Sequence, residues 1–248
     1  MDGTRTLAEL RETVTQNPED HQAWFELGMQ YFDTDFHEAR RCFSRAIALK
    51  PFNAKYIFHR GWKCLSADDY EEAMADFVQA IRLEPIDGFK WHYLANSYFF
   101  LGDYEKAAEY YRMAITMHQK TGVHLIPPAV DWIWMCNMRL GRKRAAQAIL
   151  DEFITPDIPV EDSDLVYKER VLMYAGYTPF EEFLAHVQEG DDIHVITKAY
   201  AASCYYNFVL GDKENANKML DIVLAVPTKH HGFGYKLALK DKREGLIG

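Results

Sequence analysis

Residues 24–51 read WFELGMQYFDTDFHEARRCFSRAIALKP, and this stretch decides the fold. The spacing in its first part places Trp24, Leu27 and Tyr31 on one side of a helix. A polar turn, Asp-Thr-Asp, separates this part from a second apolar segment. That segment ends at Pro51, because proline cannot continue a helix. The stretch therefore predicts two helices joined by a short turn.

The same pattern returns along the chain with a period of about 34 residues. Small residues recur where two helices would have to approach closely, and a proline closes two of the units. The recurring positions are Gly28, Gly61 and Ala95; Ala39, Ala73 and Ala107; Ala46, Ala80 and Ala114; and Pro51 and Pro85. A fixed period of this length predicts a repeat protein in which each unit packs on its neighbours.

The repeated residues resemble the tetratricopeptide repeat family, whose pattern is W-x-x-L-G-x-x-Y, then A-x-x-x-F, A and P. Three units match over residues 21–119, and Arg60 stands where the family has leucine. The resemblance implies an all-α fold, a right-handed superhelical solenoid of antiparallel helix pairs. In this fold the first helices of the pairs line a concave groove that binds other proteins or peptides.

Weaker copies of the pattern continue beyond residue 119. Leu-Gly followed by an alanine recurs at Leu140 with Ala146 and at Leu210 with Ala216, which predicts degenerate repeats. The expected organisation is an N-terminal capping helix (1–20), three repeats (21–119), a degenerate fourth repeat (120–154), a linker (155–164), a divergent helix pair (165–190), a degenerate repeat (197–230) and a C-terminal capping helix (231–248).

Composition limits the classes of partner. The chain has 248 residues and a net charge of −9, so we expect no nucleic-acid partner, since nucleic-acid binders concentrate positive charge. No stretch approaches the roughly 20 apolar residues of a membrane span, so we expect no membrane partner either. The four cysteines form no C-x-x-C motif, which favours reduced thiols and a cytoplasmic location.

A second apolar stripe on the first helix of each pair is the candidate binding site. It is separate from the stripe that packs the repeats, so these helices are apolar on two faces. We expect it to bind a protein or peptide with apolar side chains. The alternative is that the C-terminal half of the chain or a second copy fills the groove. The predicted groove residues are Phe25, Met29, Phe32, Phe58, Trp62, Leu65, His92, Asn96, Phe99, Asp131 and Met135.

No catalytic signature is present in the sequence. There is no G-x-S-x-G, no H-E-x-x-H and no P-loop, so we expect no enzyme and no cofactor. The pair His230 and His231 lacks a third ligand at a recognisable spacing, so we expect no metal site. An enzyme with an unrecognised site would have to use the polar residues near the groove, His92, Asp131 and Trp132.

Overall fold

The computed structural model describes residues 5–122, 126–227 and 232–245. Within these ranges the structure is all-α and contains no strand. The chain divides into two compact units, residues 1–103 and residues 104–248. We call them unit 1 and unit 2.

Unit 1 contains a first helix and five further helices that correspond to the strongest part of the repeat pattern. Thr6 caps the first of them with Glu9 in a capping box: the Glu9 N–H donates to Thr6 Oγ1, and the Thr6 N–H donates to Glu9 Oε2 at 2.7 Å. The helices are α1 (Leu7–Gln16), α2 (His21–Gln30), α3 (Phe36–Leu49), α4 (Ala54–Ser66), α5 (Tyr70–Leu83) and α6 (Gly88–Leu101).

Glycines bring the paired helices of unit 1 into close contact. A Cβ atom at Gly28 in α2 would lie 2.5 Å from the Phe43 ring of α3, and one at Gly61 in α4 would lie 2.9 Å from Asp76 Cβ of α5. Both distances are too short for any side chain. The recurring small residues of the sequence therefore mark the sites where the two helices of a pair touch.

Arg60 departs from the repeat pattern, and the structure supplies its partner. Its guanidinium makes two hydrogen bonds to Asp76, from Nε to Oδ2 at 2.8 Å and from Nη2 to Oδ1 at 2.6 Å. Asp76 is buried, whereas Arg60 keeps part of its surface in solvent. An ion pair therefore joins α4 and α5 at position 60, where the tetratricopeptide repeat pattern has an apolar side chain.

Unit 2 contains eight α-helices among the described residues. A π-helical turn at Tyr206–Leu210 extends one of them. The helices are α7 (Tyr104–Thr121), α8 (Ile126–Arg139), α9 (Lys143–Phe153), α10 (Leu165–Tyr174), α11 (Phe180–Ala185), α12 (Asp192–Tyr205), α13 (Lys213–Ala225) and α14 (Phe233–Glu244).

The interior of unit 2 holds charged pairs rather than glycine contacts. Arg139 of α8 donates from Nη2 to Asp241 Oδ2 of α14 at 2.6 Å, and the Tyr200 hydroxyl of α12 donates to the same oxygen at 2.6 Å. The Arg139 side chain is 4% exposed and the Asp241 side chain 0%. This cluster ties α8, α12 and α14 together.

The predicted all-α fold of antiparallel helix pairs is confirmed. The expected segment boundaries stay predictions, although helices α1 and α14 lie within the two segments expected to be caps. The division between the units falls after Asp103, between the two helices of the third predicted repeat. The pair His230 and His231 lies outside the described residues.

Candidate functional site

The first helices of the pairs in unit 1 carry a continuous set of aromatic rings, which we call the aromatic face. Helix α2 supplies one of them, the turn after α2 one, α4 three and α6 one. Phe43 of α3 and Phe77 of α5 lie beneath them and are fully buried. The rings of the aromatic face are Phe25, Phe32, Phe58, His59, Trp62 and Tyr93.

Trp62 lies at the centre of the aromatic face and joins its three helices. Its ring centroid is 5.0 Å from that of Phe32 in the turn after α2, with the planes at 88°, and 4.6 Å from that of Tyr93 in α6. Phe58, one turn earlier in α4, contacts Tyr93 edge to face at 5.3 Å. Edge-to-face and tilted pairs are the favourable arrangements for aromatic rings, so Trp62 is held in place by its neighbours. It is partly exposed.

His59 lies among these rings and is neutral near pH 7. Its Nδ1–H donates to the Lys55 carbonyl oxygen at 2.7 Å, because that oxygen can only accept. Burial lowers the pKa of His59, and the positive charges of Lys55, Lys90 and Lys63 lower it further. The ring lies edge-on to Phe25 at 5.1 Å, so a neutral imidazole serves here as another flat side chain of the aromatic face.

Two lysines contact rings of the aromatic face. The Lys63 Nζ lies 3.4 Å from the Phe32 ring centroid and donates to the Phe32 carbonyl oxygen at 2.9 Å. The exposed Lys55 places its Nζ 4.8 Å from the Phe25 ring centroid. Contacts of this kind are electrostatically favourable, and those of Lys63 fix the position of Phe32 beside Trp62.

The structure buries about half of the predicted groove residues in unit 1. Side-chain surface remains on Met29, which is 39% exposed, and on the partly buried residues Phe32, Trp62 and His92. The remaining predicted side chains of this unit have almost no surface for a ligand to contact: Phe25, Phe58, Leu65, Asn96 and Phe99.

The two predicted groove residues of unit 2 lie in its interior. Asp131 is 0% exposed, and its Oδ1 lies 3.0 Å from Nε of Arg170 in α10. Burial raises the pKa of Asp131 to about 7, against the charge of Arg170, which lowers it. Met135 is also buried, and Arg170 Nη2 donates to its sulfur at 3.6 Å. Neither side chain has an exposed surface, and the Asp131 carboxylate has a charge partner.

Two members of the aromatic face, His59 and Tyr93, are absent from the predicted groove residues. Both directly follow a predicted residue, Phe58 and His92. A search at positions i, i+4 and i+7 skips position i+1, although an apolar helix face of 100° or more includes it. A wider stripe on each first helix would have found both residues.

The cysteines are not set up as nucleophiles. All four are free and buried. Burial raises the pKa of Cys42 to about 11 and that of Cys204 to about 12, so both thiols stay protonated near neutral pH. Among the described residues no group of histidines, cysteines and carboxylates could hold a metal ion, and no helix there is long and apolar enough to span a bilayer.

Comparison with known proteins places the repeats on the chain. Two tetratricopeptide repeat family models match residues 30–87 and 89–119. A peroxisomal targeting signal receptor from Eremothecium gossypii is 31% identical over 97 residues. The match covers 39% of this chain and 17% of the receptor, so it concerns a small part of that protein.

Solved structures share the fold at low sequence identity. RapI in its apo form superposes with a TM-score of 0.70 at 11% identity, over 98% of this chain and 71% of that one. YrrB, described as a TPR protein with an unusual peptide-binding site, gives a TM-score of 0.50 at 17% identity, over 96% of this chain and all of YrrB. The period, the glycine contacts and the two family matches agree that residues 30–87 and 89–119 are similar to tetratricopeptide repeats.

Proposed function

We propose that this chain is a non-enzymatic scaffold or adaptor that captures an apolar segment of a partner protein on the aromatic face of unit 1. Trp62 is the principal anchor, with Phe32 and Tyr93 on either side of it. The observation that carries the proposal is a tryptophan that is held by three neighbouring rings and yet keeps part of its surface in solvent.

The chemistry of the aromatic face supports an apolar partner. Aromatic residues at the centre of a contact surface contribute a large share of binding energy. Because the surrounding rings already hold Trp62, little side-chain entropy is lost when a ligand covers it. Met29 supplies a flexible side chain that adapts to different apolar groups. The exposed Lys55 at the edge of the face favours a partner with a carboxylate beside its apolar residues.

Two similar proteins support a protein or peptide ligand. YrrB is described as having a peptide-binding site, and the matched relative is described as a receptor for a targeting signal. We extend the class of ligand to this chain, but not the identity of either ligand. The four free thiols support work in a reducing compartment, and we propose the cytoplasm.

A second copy of the chain is the alternative occupant of the aromatic face. Large apolar side chains remain exposed in the turns that follow Pro51 and Pro85, where Phe52 is 82% and Ile86 59% exposed. Light scattering of the purified chain at increasing concentration separates the two possibilities. A dimer that Trp62→Ala disrupts would assign the aromatic face to self-association, whereas a monomer leaves it to a partner.

Selection from a displayed peptide library tests the proposal and requires no identified partner. The full chain serves as the target, and the Trp62→Ala variant serves as the counter-target. We expect the enriched peptides to share aromatic or aliphatic residues, and to bind the wild-type chain but not the variant. Peptides that bind both proteins equally would show that the aromatic face is not the site.

Trp91→Ala is the matched control for this selection. Trp91 lies at the repeat-packing position of α6, and its indole N–H donates to the Pro85 carbonyl oxygen at 2.8 Å. Its truncation removes the same number of atoms from the same unit, but none from the aromatic face. Enriched peptides should therefore still bind the folded Trp91→Ala variant.

A further inference from the structure

Unit 2 contains a partly open cavity that the groove hypothesis does not use. Helices α8, α10, α12 and α14 surround about 120 Å³ of space. An apolar cavity of about 150 Å³ takes up a ligand of the size of benzene, so this one has room for a small organic molecule. Its wall includes Trp132, Tyr167, Arg170, Thr197, Phe233 and Leu237.

A buried positive charge forms part of the cavity wall. Arg170 is 3% exposed and lines the cavity. Its Nε lies 3.0 Å from Asp131 Oδ1, but the described residues give Nε no hydrogen bond of ordinary geometry, and neither oxygen of Asp131 receives one. Its hydrogen bond to the Met135 sulfur is weak, because a thioether is a poor acceptor. Tyr174 also faces the Arg170 guanidinium, which has five N–H donors and so retains capacity for an acceptor in the cavity beside Asp131, Met135 and Tyr174.

The rest of the wall is suited to an anion with an apolar body. No carboxylate occurs among the described residues that line the cavity. Thr197 and Tyr167 add hydroxyl groups, while Trp132, Ile193 and Leu237 supply apolar surface. A single guanidinium among apolar walls fits a singly charged group better than a phosphate, which requires several strong donors.

Helix α14 presents its positive end to the same cavity. Phe233 and Gly234, its first two residues, line the cavity. A Cβ atom at Gly234 would lie 2.9 Å from Ile196 Cγ2 of α12, so the glycine allows this helix end to pack closely there. The N-terminal end of a helix carries partial positive charge, which adds to that of Arg170.

We propose that the cavity of unit 2 is a binding site for a small monocarboxylate of about six non-hydrogen atoms. The carboxylate pairs with the guanidinium of Arg170, and its short apolar chain lies against Trp132 and Leu237. This site is separate from the aromatic face of unit 1. A test of this proposal is therefore independent of the proposed protein ligand.

Calorimetric titration of the full chain with butyrate tests the site. Two ligands of nearly the same shape serve as controls: butyramide, which is neutral, and butylammonium, which is positively charged. We expect butyrate to bind and to raise the melting temperature progressively as its concentration increases. Butyramide should bind at least tenfold more weakly, because it forms no charge-assisted hydrogen bond, and butylammonium should not bind. The absence of butyrate binding at roughly 20 mM, a concentration that would reveal even a very weak site, would overturn the proposal. Equal binding of butyrate and butyramide would also overturn it.

Variants locate the site within the protein. Thr197→Leu fills the cavity without touching the ion pair and should abolish butyrate binding. Thr197→Val has the size of threonine and should retain most of it. The double change Asp131→Asn with Arg170→Gln removes both charges together, since removal of one would leave the other buried and unpaired. It should weaken butyrate binding at least tenfold while leaving butyramide binding unchanged.

Circular dichroism and thermal melting establish that each variant is folded before it is titrated. If the double variant does not fold, the comparison of Thr197→Leu with Thr197→Val decides the question, because neither changes a charge. Unchanged butyrate binding by a folded Thr197→Leu variant would place the ligand elsewhere and overturn the proposal.

Discussion

The two units of this chain join their helices by different means. In unit 1, small residues at fixed spacing let helices touch, as at Gly28 and Gly61, and the ion pair of Arg60 with Asp76 keeps the arginine partly exposed. In unit 2, two ion pairs lie almost entirely inside: Asp131 with Arg170, and Arg139 with Asp241. A regular repeat can rely on shape alone, because each contact recurs. We infer that the divergent unit uses buried charge to select one packing among several.

This difference explains what the sequence could and could not predict. The 34-residue period identified the repeated helix pairs because small residues such as Gly28 and Gly61 recur near that interval where the helices touch. A buried ion pair such as Arg139 with Asp241 joins residues far apart in sequence and has no period. The largest expected effects therefore come from the charges of unit 2.

Arg139→Met should produce the largest loss of stability. It leaves Asp241 buried without its charge partner, a change that typically costs about 3–5 kcal/mol in the free energy of unfolding. Urea unfolding measures the loss, and hydrogen exchange of peptides from unit 2 locates it.

Two further variants sharpen the comparison. The double change Arg139→Met with Asp241→Leu should recover most of the loss, since an apolar pair of similar volume replaces the charges. Arg60→Met in unit 1 should cost less than Arg139→Met, because the partly exposed Arg60 site gives Asp76 access to water. An equal loss for Arg60→Met and Arg139→Met would contradict the contrast between the units.

Gly61→Leu tests the packing of unit 1. The new side chain would meet Asp76 Cβ and the Phe77 ring, and overpacking of this kind commonly costs about 1–3 kcal/mol. Ala75→Leu on the exposed side of α5 is the control and should change the melting temperature little. An unchanged melting temperature for Gly61→Leu would show that α4 and α5 do not touch there.

The pH dependence should have opposite signs in the two units, with effects below about 1.4 kcal/mol per pH unit. The folded-state pKa of Asp131 is about 7, above its usual value of about 4, so its contribution to stability is lost as the pH rises from about 4 to about 7. The pKa of His59 is lowered from about 6.5, so its contribution is lost as the pH falls below that value.

Chemical unfolding between roughly pH 4 and pH 8 covers both titration windows and measures both slopes. Asp131→Asn should flatten the decline that runs from about pH 4 to about pH 7, and His59→Asn should flatten the decline below about pH 6.5, where an unperturbed histidine becomes protonated. Slopes that neither substitution changes would assign the pH dependence to other groups.

The candidate site was less accessible to sequence reasoning than the fold. The apolar pattern of α2 and α4 identified Phe32 and Trp62, because both lie on the predicted stripe. The same pattern included Leu65, which is fully buried, since spacing along a helix does not say which neighbours cover a residue. His59 was missed because it lies one position after Phe58, outside the spacing of the predicted stripe, and it acts as a flat ring once burial lowers its pKa.

The central claim is that Trp62 binds the partner, and one paired measurement tests it most directly. The affinity of a peptide selected against the wild-type chain is measured for Trp62→Ala and for Trp91→Ala, together with the free energy of unfolding of each variant. We predict that Trp62→Ala loses about 2 kcal/mol or more of binding, roughly thirtyfold in affinity, while Trp91→Ala binds as the wild type does. Because Trp62 is partly exposed, its truncation should cost less than the roughly 3–5 kcal/mol typical of a buried tryptophan. A stable Trp62→Ala variant that still binds, or one that loses the full stability of a buried tryptophan, would contradict this role of Trp62.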